Sequence, residues 1–414
     1  MKNIKKIALA TTALLLLSTT ASLADITLNA LFMSQAAYSE ADVRAMTAEF
    51  EAANPGTKVA LEFVPYDALH DKIVAAAGAG DDGYDVVLFD VIWPAEFATR
   101  GFLADVTDRI PADFGAQVFD GAWTTVEYDS RRYGMPWILD TKYLYFNRDI
   151  LTQAGFDKAP VTWQELVAQA KVIKEKGLVE YPLVWSWSQS EAMICDFTTL
   201  TAAFGGSFFK DGAPAFQDGG AKQAVDFMLS TLTDGLTNPA SLEYAEEDVR
   251  RVFSNGDAAF ALNWTYMNSL VNKPEESKVV GKVGIAPALG SEGGASASAV
   301  NGSMGLGIAA NSPHPDEAWS FISYLTQPSV QESYATLSLP VWKASYTVDA
   351  VTKGQEDLVA AANQSIAVMS PRPLIASYTE VSGILQSSIH GALLGQTTVD
   401  AALAEAADRI ARIR

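Results

Sequence analysis

The 414-residue sequence holds one cysteine, Cys195, so no intramolecular disulfide can form and the fold must rest on buried apolar surface. Its three histidines, His70, His314 and His390, stand in unrelated contexts. None has a partner at the spacing of a zinc site or a Ser-His-Asp triad. The G-x-S-x-G, P-loop and H-E-x-x-H patterns are absent, and no histidine lies near Cys195 in the chain. Asp81, Asp82 and Asp85 cluster, but without the ligand-and-glycine spacing of a calcium loop. Neither a metal nor a cofactor is expected.

Basic residues are also scarce, 29 against 49 acidic ones, for a net charge of −20. Such a surface repels nucleic acid phosphates and anionic lipid headgroups, so neither is an expected partner. Internal repeats and low-complexity tracts are missing. Nor does any apolar run reach the ~20 residues needed to span a bilayer.

What is present begins with a leader. Lys2, Lys5 and Lys6 precede an apolar run from Ile7 to Leu17, and Ser22-Leu23-Ala24 supplies small residues before a cut. That is the anatomy of a secretory signal peptide over residues 1–24, with Asp25 starting the mature chain. Loss of the leader lysines takes the charge to −23. With no cysteine after the apolar run for lipid attachment, a protein free in a Gram-negative periplasm is expected.

The mature chain is too long for one ordinary core, and its 49% hydrophobic and 19% charged residues describe an ordered, globular protein of two domains. Strand signals at Thr27–Leu31, at the alternating Val59, Leu61 and Phe63, and at Tyr84–Phe89 are separated by helical patterns. The first helix is capped by Ser39 with Asp42 three residues on, and places Val43, Met46 and Phe50 on one face. Strand-helix alternation predicts an α/β fold with a doubly wound, mostly parallel sheet, whose ligands sit beyond the carboxyl ends of strands, where Asp90 and Trp93 fall.

Gly134 to Asp149, GMPWILDTKYLYFNRD, joins this half to a second one of the same logic. Asp140 interrupts two apolar runs there, which is costly if buried unless something uses it; a solvated acid in a surface hairpin is the alternative. Pro136 suits an edge or an interdomain crossing. Beyond it, Thr162 caps a helix with Glu165, and Pro182–Trp187, Ala258–Trp264, Lys282–Ala286 and Gly305–Ala309 read as strands.

Aromatic residues are the strongest site signal. Trp185 and Trp187 share one strand face, Trp264 and Tyr266 end another strand, and Trp342 follows Leu339-Pro340-Val341. Each could instead be core. Interleaved with Asp90, Asp140 and Glu191, they suit a carbohydrate, whose apolar ring faces stack on indole while its hydroxyls need carboxylates and guanidinium groups. Arg372, held between Pro371 and Pro373, is either a solvated arginine or a preorganised fork of donors aimed at a cleft.

Four stretches resemble the carbohydrate-binding proteins of bacterial ABC importers, extracellular solute-binding protein family 1: Phe50 to Gly56, Tyr84 to Trp93, the segment ending in Tyr145-Phe146-Asn147-Arg148-Asp149, and Ala154 to Trp163. Asp90, Trp93, Glu191 with Cys195, Asn263-Trp264 and Pro371-Arg372-Pro373 before Tyr378 are similar to its trehalose/maltose-binding branch. The resemblance implies a two-lobed periplasmic binding protein fold, with residues 25–138 and 288–327 in the first lobe and 139–287 and 328–414 in the second. It implies that Asp90 and Asp140 accept from sugar hydroxyls, Trp264 stacks, Arg372 donates and Glu191 fixes one end of the ligand. It also implies that Gln35 and Tyr38 would close the pocket from the first lobe and that Gly302 would let backbone approach the ligand. With Trp93, Trp187 and Trp342 these residues make up the expected site. The sequence departs from the branch at Trp342, where a more polar residue is usual, and at Ser303, where an aromatic is common.

The resulting expectation is a monomeric, non-enzymatic carrier of an uncharged carbohydrate, a mono- or disaccharide or a sugar alcohol, which closes about a hinge and docks on a membrane permease. Two alternatives are a carrier of an anionic polyol or sulfonated sugar, resting on Arg372 and Lys142, and a glycoside hydrolase using Asp140 and Glu191.

Overall fold

A computed structural model describes residues 26–34, 37–79 and 83–413; the expected signal peptide and Gln35 lie outside the described residues. The strands that build the two main sheets are β1 (Ile26–Met33), β2 (Thr57–Val64), β3 (Val86–Asp90), β4 (Met135–Ile138), β5 (Tyr143–Asn147), β6 (Leu183–Val184), β7 (Phe260–Asn263), β8 (Val283–Ala286) and β9 (Met304–Ile308). One sheet runs β2-β1-β3-β9-β4 and the other β8-β5-β7-β6. Each sheet is flanked by helices, giving two α/β lobes.

Local chemistry explains the elements the sequence announces. Ser39 Oγ accepts from Asp42 N at 3.1 Å and Asp42 Oδ2 accepts from Ser39 N at 3.0 Å, which closes the capping box at the start of helix Glu40–Ala53 and buries Val43, Met46 and Phe50. Thr162 Oγ1 caps helix Trp163–Glu175 through Glu165 N at 3.1 Å. Glu165 reaches back one residue further, to Val161 N at 2.8 Å.

Both sheets are mixed rather than mostly parallel. β1 runs parallel to β2 and β3, but β9 runs antiparallel to β3 and β4. In the second sheet β5 is antiparallel to β7 and β8, and only the β6–β7 pair is parallel. The reason is connectivity: β5 and β9 are each entered directly from the other lobe instead of through a helical crossover on their own sheet.

Residues 139–142 and 301–303 carry the chain between lobes. They run side by side, Gly302 N donating to Asp140 O at 3.0 Å, and Asn301 N donates to Ser370 O at 3.0 Å, where residues 299–300 pair with 369–370. Alternation along β5 sends Tyr143 and Tyr145 to one core cluster and Leu144 and Phe146 to the other.

Two segments make contacts across the expected lobe boundaries. Residues 288–300 pack on the second lobe: Gly290 bridges to Thr162, Ala295 N donates to Ala203 O at 2.8 Å, and Ser298 Oγ donates to Thr199 O at 2.7 Å. Residues 328–347 stay with the first lobe, where the Gln331 amide bonds Trp137 O and Val341 N, both at 3.0 Å. Gly290 and Gly294 lie within the first of these segments. Here they allow close backbone contact, since a methyl on Gly294 would stand 2.2 Å from Ala203 O.

Candidate functional site

The carboxyl ends of the central strands meet at the junction of the lobes. Asp90 ends β3, Asp140 lies between β4 and β5, and Trp264 follows β7. Glu191 opens helix Glu191–Ala203, and Arg372 lies between the short strand Met369–Ser370 and helix Tyr378–Leu393. Residues 90, 191 and 372, far apart in the chain, are joined by one side chain. Arg372 Nη2 donates to Asp90 Oδ1 at 3.0 Å and Nη1 to Glu191 Oε1 at 2.7 Å, while Nη2 also lies 3.4 Å from Asn301 O. Arg372 is 2% exposed and its Nε has no hydrogen-bond partner among the described residues. Glu191 also accepts from Tyr378 and Ser382 hydroxyls, and Asp90 from Tyr66 Oη at 3.3 Å and Ile92 N at 3.1 Å. Burial pushes the Asp90 carboxyl up from its ordinary range against the lowering pull of Arg372.

Asp140 is buried, and Oδ1 gathers three donors: Thr265 Oγ1 at 2.6 Å, Thr265 N at 3.2 Å and Thr141 N at 2.8 Å. Burial nevertheless pushes its carboxyl up to about 7, because those bonds offset only part of the lost hydration. The solvated-hairpin alternative fails, since Asp140 sits where both crossings touch.

Trp264 is half-buried. Its Nε1 donates to Glu246 Oε1 at 3.1 Å, and Gly302 lies so close that an added methyl would stand 2.2 Å from Cζ3. Gly302 therefore serves close approach, to the indole in this case. Tyr38 is buried in the first lobe and stacks on Trp137 with centroids 4.8 Å apart. Trp93 is buried against Tyr66, His70 and Phe97, so it backs the tyrosine that bonds Asp90.

Two further expected site residues, Trp187 and Trp342, are also buried. Trp187 is fully buried, stacks on Trp185 at 5.2 Å, and donates from Nε1 to Asp196 Oδ2 at 3.0 Å. Trp342 packs edge-on to Phe114 at 5.1 Å and donates to Thr326 O at 2.8 Å. Both indoles are buried with the N–H on an internal acceptor, whereas Trp264, whose N–H is also bonded, keeps part of its ring exposed. Conversely, Tyr66, Glu246, Thr265 and Tyr378 touch the predicted site residues without having been assigned to the site from sequence. Two surface depressions, about 570 Å³ beside Pro65, Ala68 and Lys72 and about 190 Å³ beside Asn29, Asp85 and His314, share no residue with this cluster.

Buried carboxylates, an arginine fork and an indole at the meeting of two α/β lobes suit recognition of a small polar molecule. The sequence profile of the bacterial extracellular solute-binding proteins matches residues 36–332. The chain belongs to that family. This solute-binding protein is similar to maltose-bound MalE3 of T. maritima, at 32% identity over 93% of this chain and 99% of that one, with a TM-score of 0.86. It shares its fold with an ABC transporter solute-binding protein of Agrobacterium radiobacter K84 solved with ribitol, at 24% identity, 94% and 98% coverage and a TM-score of 0.82. A Deinococcus radiodurans protein named "Probable ABC transporter-binding protein" is 28% identical over 351 residues, 81% of each chain. Family and fold are those of transport solute-binding proteins rather than of enzymes.

Proposed function

We infer that this solute-binding protein takes a neutral, hydroxyl-rich solute, a sugar or sugar alcohol, between its lobes in the periplasm and presents it as a monomer to the membrane permease of an ABC importer. The observation that carries the reading is Trp264, a half-buried indole pinned at its N–H and set at the same lobe junction as Asp90, Asp140 and Arg372. An indole face offers stacking to the C–H side of a sugar ring, and carboxylates accept from its hydroxyls. The maltose and ribitol in the similar structures are ligands of this chemistry. Closure is a hinge motion about 139–142 and 301–303, and affinity follows from the contacts the ligand makes only in the closed state.

The charge pattern favours a neutral ligand over an anionic one. Arg372 is already matched by Asp90 and Glu191, and Lys142 by Asp196 at 2.8 Å, so neither cation is left to meet a phosphate or sulfonate. Hydrolysis is disfavoured as well, because Glu191 is held by Arg372, Tyr378 and Ser382 instead of being poised beside a leaving group.

The test is a thermal-shift screen of residues 25–414 against maltose, trehalose, sucrose, glucose, sorbitol, mannitol, ribitol and glycerol 3-phosphate. A ligand at one hundred times its dissociation constant stabilises by ~2.7 kcal/mol, a visible rise in melting temperature. A response to one or more neutral solutes is expected. A response to the phosphate alone would replace the reading with the anionic one, and silence across the panel would overturn it.

A further inference from the structure

Trp264 is held from behind by charges that the binding reading does not itself require. Its Nε1 donates to Glu246 Oε1 at 3.1 Å, and the same oxygen lies 3.6 Å from Lys142 Nζ. Lys142 Nζ in turn donates to Asp196 Oδ1 at 2.8 Å, Ser186 Oγ at 2.9 Å and Ala192 O at 3.1 Å, and sits 5.2 Å from the centroid of the Trp264 ring. Asp196 uses its other oxygen for Trp187 Nε1 at 3.0 Å. A continuous line of contacts thus runs from a core indole, through Asp196, Lys142 and Glu246, to the indole at the lobe junction.

Stability does not explain this line. The Lys142 side chain is 0% exposed and that of Asp196 1%, and an ion pair so buried is commonly no better than well-packed apolar residues of the same volume. Burial pulls the Lys142 ammonium down, yet attraction to Asp196 and Glu246 outweighs it and holds the group above its ordinary value. Glu246 is the exposed end of the line, with 24% of its side chain accessible. The exposed part of that carboxylate faces solvent. The start of the helix that Glu246 opens also fixes the Trp264 backbone: Glu246 O accepts from Asn263 Nδ2 at 2.7 Å, and Asn263 Oδ1 accepts from Trp264 N at 2.8 Å. Lys142 closes the crossing 139–142, so the same line ties the indole to the hinge.

We propose that Lys142 and Glu246 are positioning residues for solute recognition: Glu246 sets the plane of the Trp264 indole through its N–H, and Lys142 keeps Glu246 there against the pull of solvent. The proposal rests on the reading of Trp264 as the stacking platform. A preset ring spends none of the binding free energy on its own ordering, which is why a buried charge line behind it raises affinity without touching the ligand.

The experiment uses mature protein carrying Glu246→Ala, Glu246→Gln, Trp264→Phe and the double variant Glu246→Ala/Trp264→Phe. Near-ultraviolet circular dichroism without added solute reads the immobilised indole, and calorimetry with maltose and with ribitol reads affinity. Glu246→Ala should remove the part of the spectrum that Trp264→Phe removes and weaken binding about tenfold, with no further loss in the Trp264→Phe background, the signature of two residues acting as one unit. Glu246→Gln keeps an acceptor for the indole N–H and should stay closer to wild type. An unchanged spectrum in Glu246→Ala, or an equal loss of affinity in both backgrounds, overturns the proposal. Should the wild type bind neither solute, the choice of ligand fails while the spectrum still decides the positioning role. Lys142→Met is the second variant; it should alter the same spectral component, and a fold-preserving Lys142→Met with the wild-type spectrum removes lysine from the scheme.

Discussion

Arg372 and Asp90 make an ion pair across the junction of the lobes, Nη2 to Oδ1 at 3.0 Å, with the arginine 2% and the aspartate 5% exposed. Asp90 belongs to the first lobe and Arg372, with Glu191, to the second, so one guanidinium links the two bodies that the proposed closure would bring together and part. In a site this dry the pair is screened little by salt. Asp90→Asn keeps an acceptor but removes the charge, while Arg372 retains Glu191 as a partner. Small-angle scattering of ligand-free Asp90→Asn should give a larger radius of gyration than wild type at the same ionic strength. Equal radii would mean that other contacts hold the lobes together.

The carboxyl of Asp140 makes stability depend on pH in a direction opposite to that of a surface acid. Its value in the folded protein is about 7 against an ordinary 3.8, so between those limits the folded state keeps a proton that the unfolded chain has lost. Asp140 therefore contributes stability that is fully present below about pH 4 and lost as pH rises through 7. Asp140→Asn keeps the neutral form at every pH. Urea unfolding should find the variant gaining on wild type between pH 5 and pH 8, by up to a few kcal/mol. Asp196, pushed to about 6 by burial against Lys142, has the same sign in both proteins and cancels. Parallel pH profiles would show that Asp140 ionises normally.

Much of this architecture was legible in the chain. The capping box at Ser39 and Asp42, the apolar strand before Asp90 and the segment 134–149 carried the first lobe and its connection to the second, because caps and periodicity are local physics. Asp90, Glu191 and Arg372 were legible as polar residues in stiff or strand-end settings. That they bond one another was not, since nothing local encodes a contact between positions 90 and 372. The depth of Trp187 and Trp342 was not legible either: both faces of a covered sheet are apolar, so a tryptophan near a strand end looks the same whether it is fully buried on Asp196 or partly exposed. Glu246 was hidden in Glu246-Glu247-Asp248, which reads as an ordinary acidic first turn of a helix.

The tryptophans should separate by what their loss costs. Trp187→Ala empties a fully buried site and takes the indole donor from Asp196 Oδ2, for a loss of about 3–5 kcal/mol of stability. Trp264→Ala removes a half-buried ring and should leave unfolding little changed while weakening solute binding at least tenfold, ~1.4 kcal/mol. Urea melts and calorimetry on the two variants check this. Unchanged affinity in Trp264→Ala would remove it from the site.

Gly302→Ala tests the platform from its other side. The added methyl would stand 2.2 Å from Cζ3 and 2.4 Å from Cη2 of Trp264, inside any real contact distance. Gly302 is not among the glycines in the left-handed region, so alanine brings no backbone strain there and the cost falls on the ring. The ring cannot slide away and also keep its bond to Glu246 at 3.1 Å. Overpacking of this kind costs ~1–3 kcal/mol in stability, and a displaced indole should lower solute affinity by about tenfold. Calorimetry on Gly302→Ala alone and combined with Trp264→Phe reads both effects, the smaller ring relieving part of the clash. Wild-type affinity in the single variant would mean that the indole has room to move, and that its plane is not set by the backbone it rests on.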